Sequence, residues 1–560
     1  MNQLMPERIR ILDCVVILAV GLFTNFYLLG DGPLAGTEGN RALAAHQMVV
    51  SGEWLIPHLY DQVYLRKPPL QYWIVAFLEK ATGWATPWVW RSVSAVAGAL
   101  TPLFLYWITT RWFGRFGGVV GGFSCCAMIA LWEQNRTGEI DALNTLACVA
   151  CACLLIDLGW GPRFPSPGVP EEGGSSIWIM LGAALAFAVA MMTKGPAGIA
   201  PIIGALLGPA WFNRTWRAMK SPMPWIALAL GLIPIAIYGI AVAAEFHAQH
   251  TSPDTAGIVE VFQNLVEDRI KNIPDSFRLG PHLFLFSQPV SLLALFALHP
   301  ALIKRGRNSP NWSEADRLLL RGLLGAILVS FLASEAWGLV HERYSYVWLP
   351  LICPVVGAVA AAWKREAFPM LYQRLISEAT AYAAAVLTIG VIVLAVLCQI
   401  RHAPMLPLIW AAVPLALVVG FIALKGLEIN RMSLVGWGFV GLVFLASLVF
   451  APIGVVDRYR RSTLFGAHVL SQKFPPGTTI TTGDLVFEKP ELFYYAGLNV
   501  ESYPYQFLDP MDFPDSRWVL FLPSEFVRWQ REAPDRIGDF TNVNAGGVDP
   551  IFLVWCEKQK

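Results

Sequence analysis

Three carboxylates carry the clearest chemical signal in this chain. Glu38 stands just beyond the first apolar run, and Glu139 and Asp141 follow about a hundred residues later at the start of the fourth. A carboxylate in or beside lipid is costly, so it needs a partner, water or a task. All three fall on the same side of an alternating loop pattern. Acids facing one cavity between water and lipid suit general-base chemistry on a lipid-delivered substrate. A spacing of two puts Glu139 and Asp141 on different sides of a helix, so one of them faces such a cavity. Asp141 sits deeper and is the costlier residue. The structural alternative for Glu38 is a first-turn acid that complements a helix N-terminus and pairs with Arg41.

The elements that hold these acids follow from composition. Of 560 residues, 55% are hydrophobic and 14% charged, and mean hydropathy is +0.51. A soluble globular protein carries roughly 25% charge, so the chain reads as a polytopic membrane protein. A net charge of +1 argues against nucleic acid as a partner. All cysteines except Cys556 lie in apolar stretches, with no disulfide framework and no zinc-ligand spacing. Apolar runs of spanning length start near Ile11, Val89, Gly117, Ala142, Ile177, Gly198, Trp225, Leu283, Leu318, Tyr346, Ala381, Leu406 and Leu434. About thirteen spans result, the first of them uncleaved. Alternate loops carry the lysines and arginines, among them Arg111, Arg115, Lys364, Arg365, Arg374 and Lys425. That bias puts them and the N-terminus in the cytoplasm, and the C-terminal segment outside.

The opposite loops hold the acids, and two of them, about 31–88 and 244–282, are long; long loops are usually functional. In the first, Thr37 can cap a helix whose apolar positions Ala42, Ala45, Met48 and Val49 recur at helical spacing. A second helix is expected from Leu70 to Leu78, and both would lie along the membrane surface. After residue 454 the composition shifts to short apolar runs between turn formers. Trp518–Leu522 and Ile551–Trp555 read as buried strands, and Pro490–Tyr495 can start a helix. The expectation is therefore an all-α membrane domain over 1–454 and a small α/β outer domain over 455–560. No internal repeat is evident, which weakens a transporter or flippase reading.

Several segments together resemble one family. Thr37-Glu38-Gly39-Asn40-Arg41-Ala42 is followed by Ser51-Gly52-Glu53-Trp54, then Tyr64-Leu65-Arg66-Lys67-Pro68-Pro69-Leu70. Glu139-Ile140-Asp141, Thr193-Lys194-Gly195-Pro196 and Arg343-Tyr344 come after. Their order and spacing resemble the polyprenyl-phosphate-sugar glycosyltransferases of GT-C type, which include aminoarabinose transferase and the protein O-mannosyltransferases. The resemblance implies inverting transfer from a polyprenyl-phosphate sugar to a glycolipid or protein hydroxyl, on the outer face of a bacterial inner membrane. It assigns the base to an acid of the first outer loop. The family's aspartate maps to Thr37, so Glu38 or Asp141 takes that role, or the protein is a non-catalytic relative that binds polyprenyl phosphate. Lys67, Lys194, Arg343 and, more weakly, Arg66 would contact the phosphate, where fixed cations stabilise a departing anion. Tyr344 accompanies Arg343, Tyr64 would orient the lysine or the phosphate, and Glu139 would contact substrate. Some relatives carry a divalent ion; His247 and His250 read instead as surface-loop residues, and no metal-ligand set stands out.

Overall fold

The computed structural model describes residues 10–161, 173–249, 287, 290–304, 311–336, 344–402, 406–428, 432–483, 485–502, 515–532, 534–544 and 550–556. Two compact units make up the chain. One comprises Met1–Tyr27, Ser94–Arg136 and Ile140–Pro452; the other comprises Leu28–Val93, Thr137–Glu139 and Ile453–Lys560. Most of the first long outer loop thus belongs to the same unit as the C-terminal segment.

The first unit is helical. Eight described helices are long and apolar enough to cross a membrane, among them Pro87–Phe113 (α4), Asp141–Trp160 (α7) and the span Ser176–Lys194, the described part of Gly173–Lys194 (α8). The pair Arg115–Cys126 (α5) and Ile129–Asn135 (α6) bends by 61° and makes a ninth, and three shorter apolar helices include Ile11–Phe26 (α1). The chain is a multi-pass membrane protein. Helices of spanning or near-spanning length fall at twelve of the thirteen expected positions; the run starting near Leu283 shows only short helical pieces, Val290–Ala294 and Pro300–Ile303, among its described residues, and most of the loop 244–282 lies outside the described residues. At the α5–α6 bend the Trp132 indole donates to the Cys126 carbonyl at 2.8 Å, satisfying a carbonyl at the end of α5. Arg136, just after α6, donates to Thr24 O at 2.7 Å, satisfying a carbonyl at the end of α1.

Small residues set the tightest helix crossing. The helices Ala200–Phe212 and Glu314–Ala336 meet where a Cβ added to Gly208 would lie 2.2 Å from the Gly325 carbonyl carbon. A Cβ on Gly325 would lie 2.4 Å from Gly208 O. Without a hydrophobic drive in lipid, such close backbone approach is a main source of helix association. Two ion pairs tie helix ends at the basic loops. Arg111 meets Asp157 at 2.9 Å with Trp112 donating to the same carboxylate, and Arg115 meets Asp13 at 2.6 Å.

In the second unit the loop helices form as the periodicity requires: Glu38–Ser51 (α2) and Leu70–Thr82 (α3). Each ends at a glycine with positive φ, Gly52 (+80°) and Gly83 (+72°), the conformation a helix C-terminus favours. Thr37 sits at the N-terminus of α2 but makes no side-chain cap. Between α2 and α3, His46 Nδ1 lies 2.6 Å from Glu79, whose other oxygen accepts from the Trp90 indole at 2.7 Å. The C-terminal segment contributes a small α/β sheet region to this unit. Thr479–Thr482 (β3), Asn499–Ser502 (β4), Arg517–Phe521 (β5), Ile537–Asn542 (β6) and Phe552–Cys556 (β7) form a sheet of order β4-β3-β5-β7-β6; the first loop supplies the small hairpin His58–Leu59 (β1) and Gln62–Val63 (β2). Alternation assigns the faces. Leu520 and Leu553 pack with Leu492 and Phe493, whereas Val519, Phe521 and Val554 pack with Phe526 and Trp529.

The glycine crossing yields a test. Gly208→Val should lower thermal stability in detergent by about 1–3 kcal/mol, the usual cost of overpacking. Gly239→Val, at a position with nothing within 4 Å, should be near neutral. Equal melting temperatures for the two variants would contradict the packing.

Candidate functional site

Glu38 opens α2 and is 1% exposed. Its partner is Arg91, in the first turns of α4, which is fully buried. Arg91 grips the carboxylate with both arms: Nη2 donates to Oε1 at 2.7 Å and Nε to Oε2 at 3.1 Å. Two backbone N–H groups donate to the same carboxylate, Ala35 at 3.0 Å and Gly138 at 2.9 Å. The remaining Arg91 donors reach Leu29 O (3.0 Å), Gly32 O (3.1 Å) and Pro33 O (2.7 Å). Burial pushes the Glu38 carboxyl up, but the Arg91 charge and hydrogen bonds, the Gly138 N–H and the Arg458 charge outweigh it and hold it below the usual range. Both Glu38 oxygens are thus committed to donors. A general base needs an accessible lone pair, so this geometry suits a structural anion and differs from the base expected from sequence.

What Glu38 does hold is the peptide of Gly138. Gln71, itself fully buried, donates from Nε2 to Glu139 O at 2.9 Å, so Glu38 and Gln71 pin the segment 138–139 from two sides. The Glu139 side chain, 13% exposed, projects from that pinned segment. One of its oxygens accepts the Thr37 hydroxyl, and the other stands 3.7 Å from Arg41 Nε. Arg41 in turn donates to Tyr64 OH and, at 3.3 Å, to Tyr72 OH. Asn40 donates to Tyr64 OH at 3.4 Å and to Phe487 O at 2.7 Å. Tyr64 therefore orients Arg41, not Lys67. The Arg66 guanidinium lies 4.7 Å from the centre of the Phe487 ring, a cation–π distance, and Lys67 is half-buried three residues before α3.

In the first unit, Asp141 is the first residue of α7 and Lys194 the last of α8. They form an ion pair, 2% and 6% exposed. The Lys194 ammonium also lies 4.5 Å from the Tyr344 ring centre. Paired charges are the affordable way to keep ions at depth in a membrane protein. Arg343 lies outside the described residues, as does His250. Among the described residues no group of three or more His, Cys, Asp or Glu side chains is placed to hold a metal.

The structure thus groups Thr37, Arg41, Tyr64 and Glu139 in one unit, and Asp141, Lys194 and Tyr344 in the other. Sequence reasoning missed Arg91 and Gln71, and offered Arg41 as a partner of Glu38 where the structure sets it 3.7 Å from Glu139. The available signal for Arg91 was an arginine set among apolar residues in Trp88-Val89-Trp90-Arg91-Ser92-Val93, where a charge needs a reason.

Residues 66–239 match the family model described as dolichyl-phosphate-mannose-protein mannosyltransferase. Among curated proteins, the chain is similar to the undecaprenyl phosphate-alpha-4-amino-4-deoxy-L-arabinose arabinosyl transferase of Erwinia tasmaniensis. The two are 26% identical over 36% of this chain and 35% of that protein. The enzyme of the same name from Enterobacter sp. is also 26% identical, over 40% of this chain and 39% of its own length. The chain therefore spans about a third of the length of the curated relatives it matches. Among solved structures, ArnT from Cupriavidus metallidurans bound to undecaprenyl phosphate aligns with a TM-score of 0.66 and 17% identity, covering 96% of this chain and 97% of that one. The apo form of the same protein aligns with a TM-score of 0.63. The GT-C fold expected from the motifs is present, and the resemblance to polyprenyl-phosphate-sugar glycosyltransferases is borne out.

Removing one partner of a buried ion pair costs about 3–5 kcal/mol. Arg91→Ala should therefore melt far below wild type or fail to accumulate. Because the Glu38 carboxyl is depressed in the folded state, its stabilisation is complete above the ordinary value of 4.5 and is lost as pH falls through the folded value. Wild type should lose melting temperature on acidification from pH 6 to 4 more steeply than Glu38→Gln. Parallel curves would rule out a depressed Glu38.

Proposed function

We propose that this chain is an inverting glycosyltransferase that moves a sugar from a polyprenyl-phosphate donor to an envelope acceptor, a lipid A-like glycolipid or a protein hydroxyl, on the outer face of a bacterial inner membrane. The observation that carries this reading is the Glu139 carboxylate. One of its oxygens accepts the Thr37 hydroxyl, and the other, buried and without a hydrogen bond among the described residues, faces Arg41, in a chain with the fold of ArnT and sequence relatives named as arabinosyl transferases.

In this reading Glu139 is the general base, and its pinned backbone fixes where the base stands. An acceptor hydroxyl gives its proton to Glu139 while its oxygen attacks the anomeric carbon. The bond to the donor phosphate oxygen breaks on the opposite face, so the anomer inverts and the polyprenyl phosphate leaves with the electron pair. Positioning the acceptor and donor supplies much of the rate. Lys67, Arg66, Lys194 and Arg343 are the candidate cations for the departing phosphate, whose charge grows in the transition state. Asp141 keeps Lys194 company in the resting state and is the second candidate for acceptor binding. The substitution of Thr37 for the family aspartate then moves the carboxylate's origin from the α2 N-terminus to the segment before α7, while the hydroxyl stays as its hydrogen-bond donor. A non-catalytic polyprenyl-phosphate binder is the second reading, and Thr37 is the observation behind it.

The test is sugar transfer from labelled polyprenyl-phosphate sugars in right-side-out and inverted membrane vesicles. The expected result is label moving to a lipid or protein band of inverted anomeric configuration, only with acceptor on the outer face. No transfer from any donor, with polyprenyl phosphate still bound, would establish the non-catalytic reading.

A further inference from the structure

Within the second unit one carboxyl has no counterpart. Glu491, in the helix Pro490–Ala496, is fully buried, and among the described residues neither of its oxygens has a hydrogen-bond partner beyond its own backbone N–H. A buried polar group left unbonded is expensive, and a buried unpaired charge far more so. The side chain lies against Gly39, the second residue of α2: a Cβ added there would stand 2.6 Å from Glu491 Oε2. The glycine leaves the room that the carboxyl fills, directly beside Glu38.

Among the described residues, several titratable groups face Glu491. Glu38 comes from α2, with its oxygens committed to Arg91. Glu488 and Lys489 precede Glu491 in the chain. Tyr60 donates its hydroxyl to Pro490 O at 3.1 Å, and the Tyr495 hydroxyl accepts from Leu34 N at 2.8 Å. Burial pushes the Glu491 carboxyl up to about 8; Glu38 and Glu488 act in the same sense, against its backbone hydrogen bond and Lys489. The same helix anchors α2 further along, where Tyr494 meets His46 edge to face at 5.6 Å.

We propose that Glu491 is a proton-dependent positioning residue: its neutral carboxyl seats the helix Pro490–Ala496 on α2 at Gly39, and its ionisation, beside the carboxylate of Glu38, unseats it. Since α2 carries Glu38, Asn40 and Arg41, unseating its first turn disturbs the support of Glu139. Neutral pH keeps the two carboxyls in different states, one ionised and gripped, the other protonated and packed. The effect on transfer rests on the glycosyltransferase reading; the effect on stability does not.

The sign is fixed by linkage. A folded-state value raised to about 8 from 4.5 gives stability that is complete below the unfolded value and lost as pH rises toward 8. The experiment is the melting temperature of the full chain in detergent from pH 5 to 9, for wild type, Glu491→Gln and Glu491→Met. Hydrogen exchange of residues 38–45 in wild type, corrected for intrinsic rates, serves if neither variant folds. The expected result is a wild-type melting temperature that falls through this range and a flatter curve in either variant, with exchange of α2 rising above pH 8. Identical slopes in wild type and Glu491→Gln, or exchange of α2 that ignores pH, would overturn the proposal. In the transfer assay, wild type should show an alkaline loss near pH 8 that Glu491→Gln lacks. A stability difference without transfer from any donor would sink the transferase reading and leave this one standing. Transfer with identical melting slopes would do the reverse.

Discussion

The ion pair between Arg91 and Glu38 is the constraint on which the second unit depends. Two charges removed from water repay their desolvation only when the geometry is good and every remaining donor and acceptor is bonded. Here that condition is met by recruiting backbone. Arg91 spends its other donors on the carbonyls of Leu29, Gly32 and Pro33, and Glu38 takes the N–H groups of Ala35 and Gly138. A segment rich in Gly and Pro, with little regular structure to satisfy its peptides, is thereby given one conformation. The same pair tethers residue 138, about a hundred positions away in the chain, to the start of α2.

Position then becomes chemistry. Glu139 inherits its place from Gly138 and Gln71, and its side chain meets a hydroxyl and a guanidinium that α2 presents. Arg41 is itself fixed by Tyr64 and Tyr72. Reactive groups held by locked neighbours are what orientation-dependent catalysis requires. Three carboxyls close in space or sequence are kept in distinct environments: Glu38 gripped by arginine, Glu139 bonded to the Thr37 hydroxyl and facing Arg41, Glu491 sealed with no partner from another described residue. In the first unit, Asp141 and Lys194 show the same economy, with each charge answered by the other and Tyr344 against the ammonium.

Much of this was legible in the residues. Hydropathy located the spans because backbone in lipid must be helical, and periodicity with glycine stops located α2 and α3. Short continuous apolar runs located β5 and β7, since each strand buries both faces between helices. Two things escaped. Arg91 was hidden because a span pattern reports mean hydropathy, which one arginine barely moves, whereas its hydrogen bonds are long-range. The division among Glu38, Glu139 and Asp141 was also hidden: sequence shows that an acid is present, and only the surrounding donors decide whether its oxygens are free. Thr37 illustrates the limit well. Its type and position suggested a cap, but its hydroxyl reaches Glu139, 102 residues on.

The most direct measurement is the single-turnover rate of sugar transfer per folded molecule in Glu38→Gln and Glu139→Gln, with folding checked by gel filtration and melting. The account predicts that folded Glu38→Gln transfers sugar within about tenfold of wild type, while Glu139→Gln loses roughly 10²–10⁴-fold, the usual worth of a general base. Loss confined to Glu38→Gln, with Glu139→Gln at the wild-type rate, would contradict it.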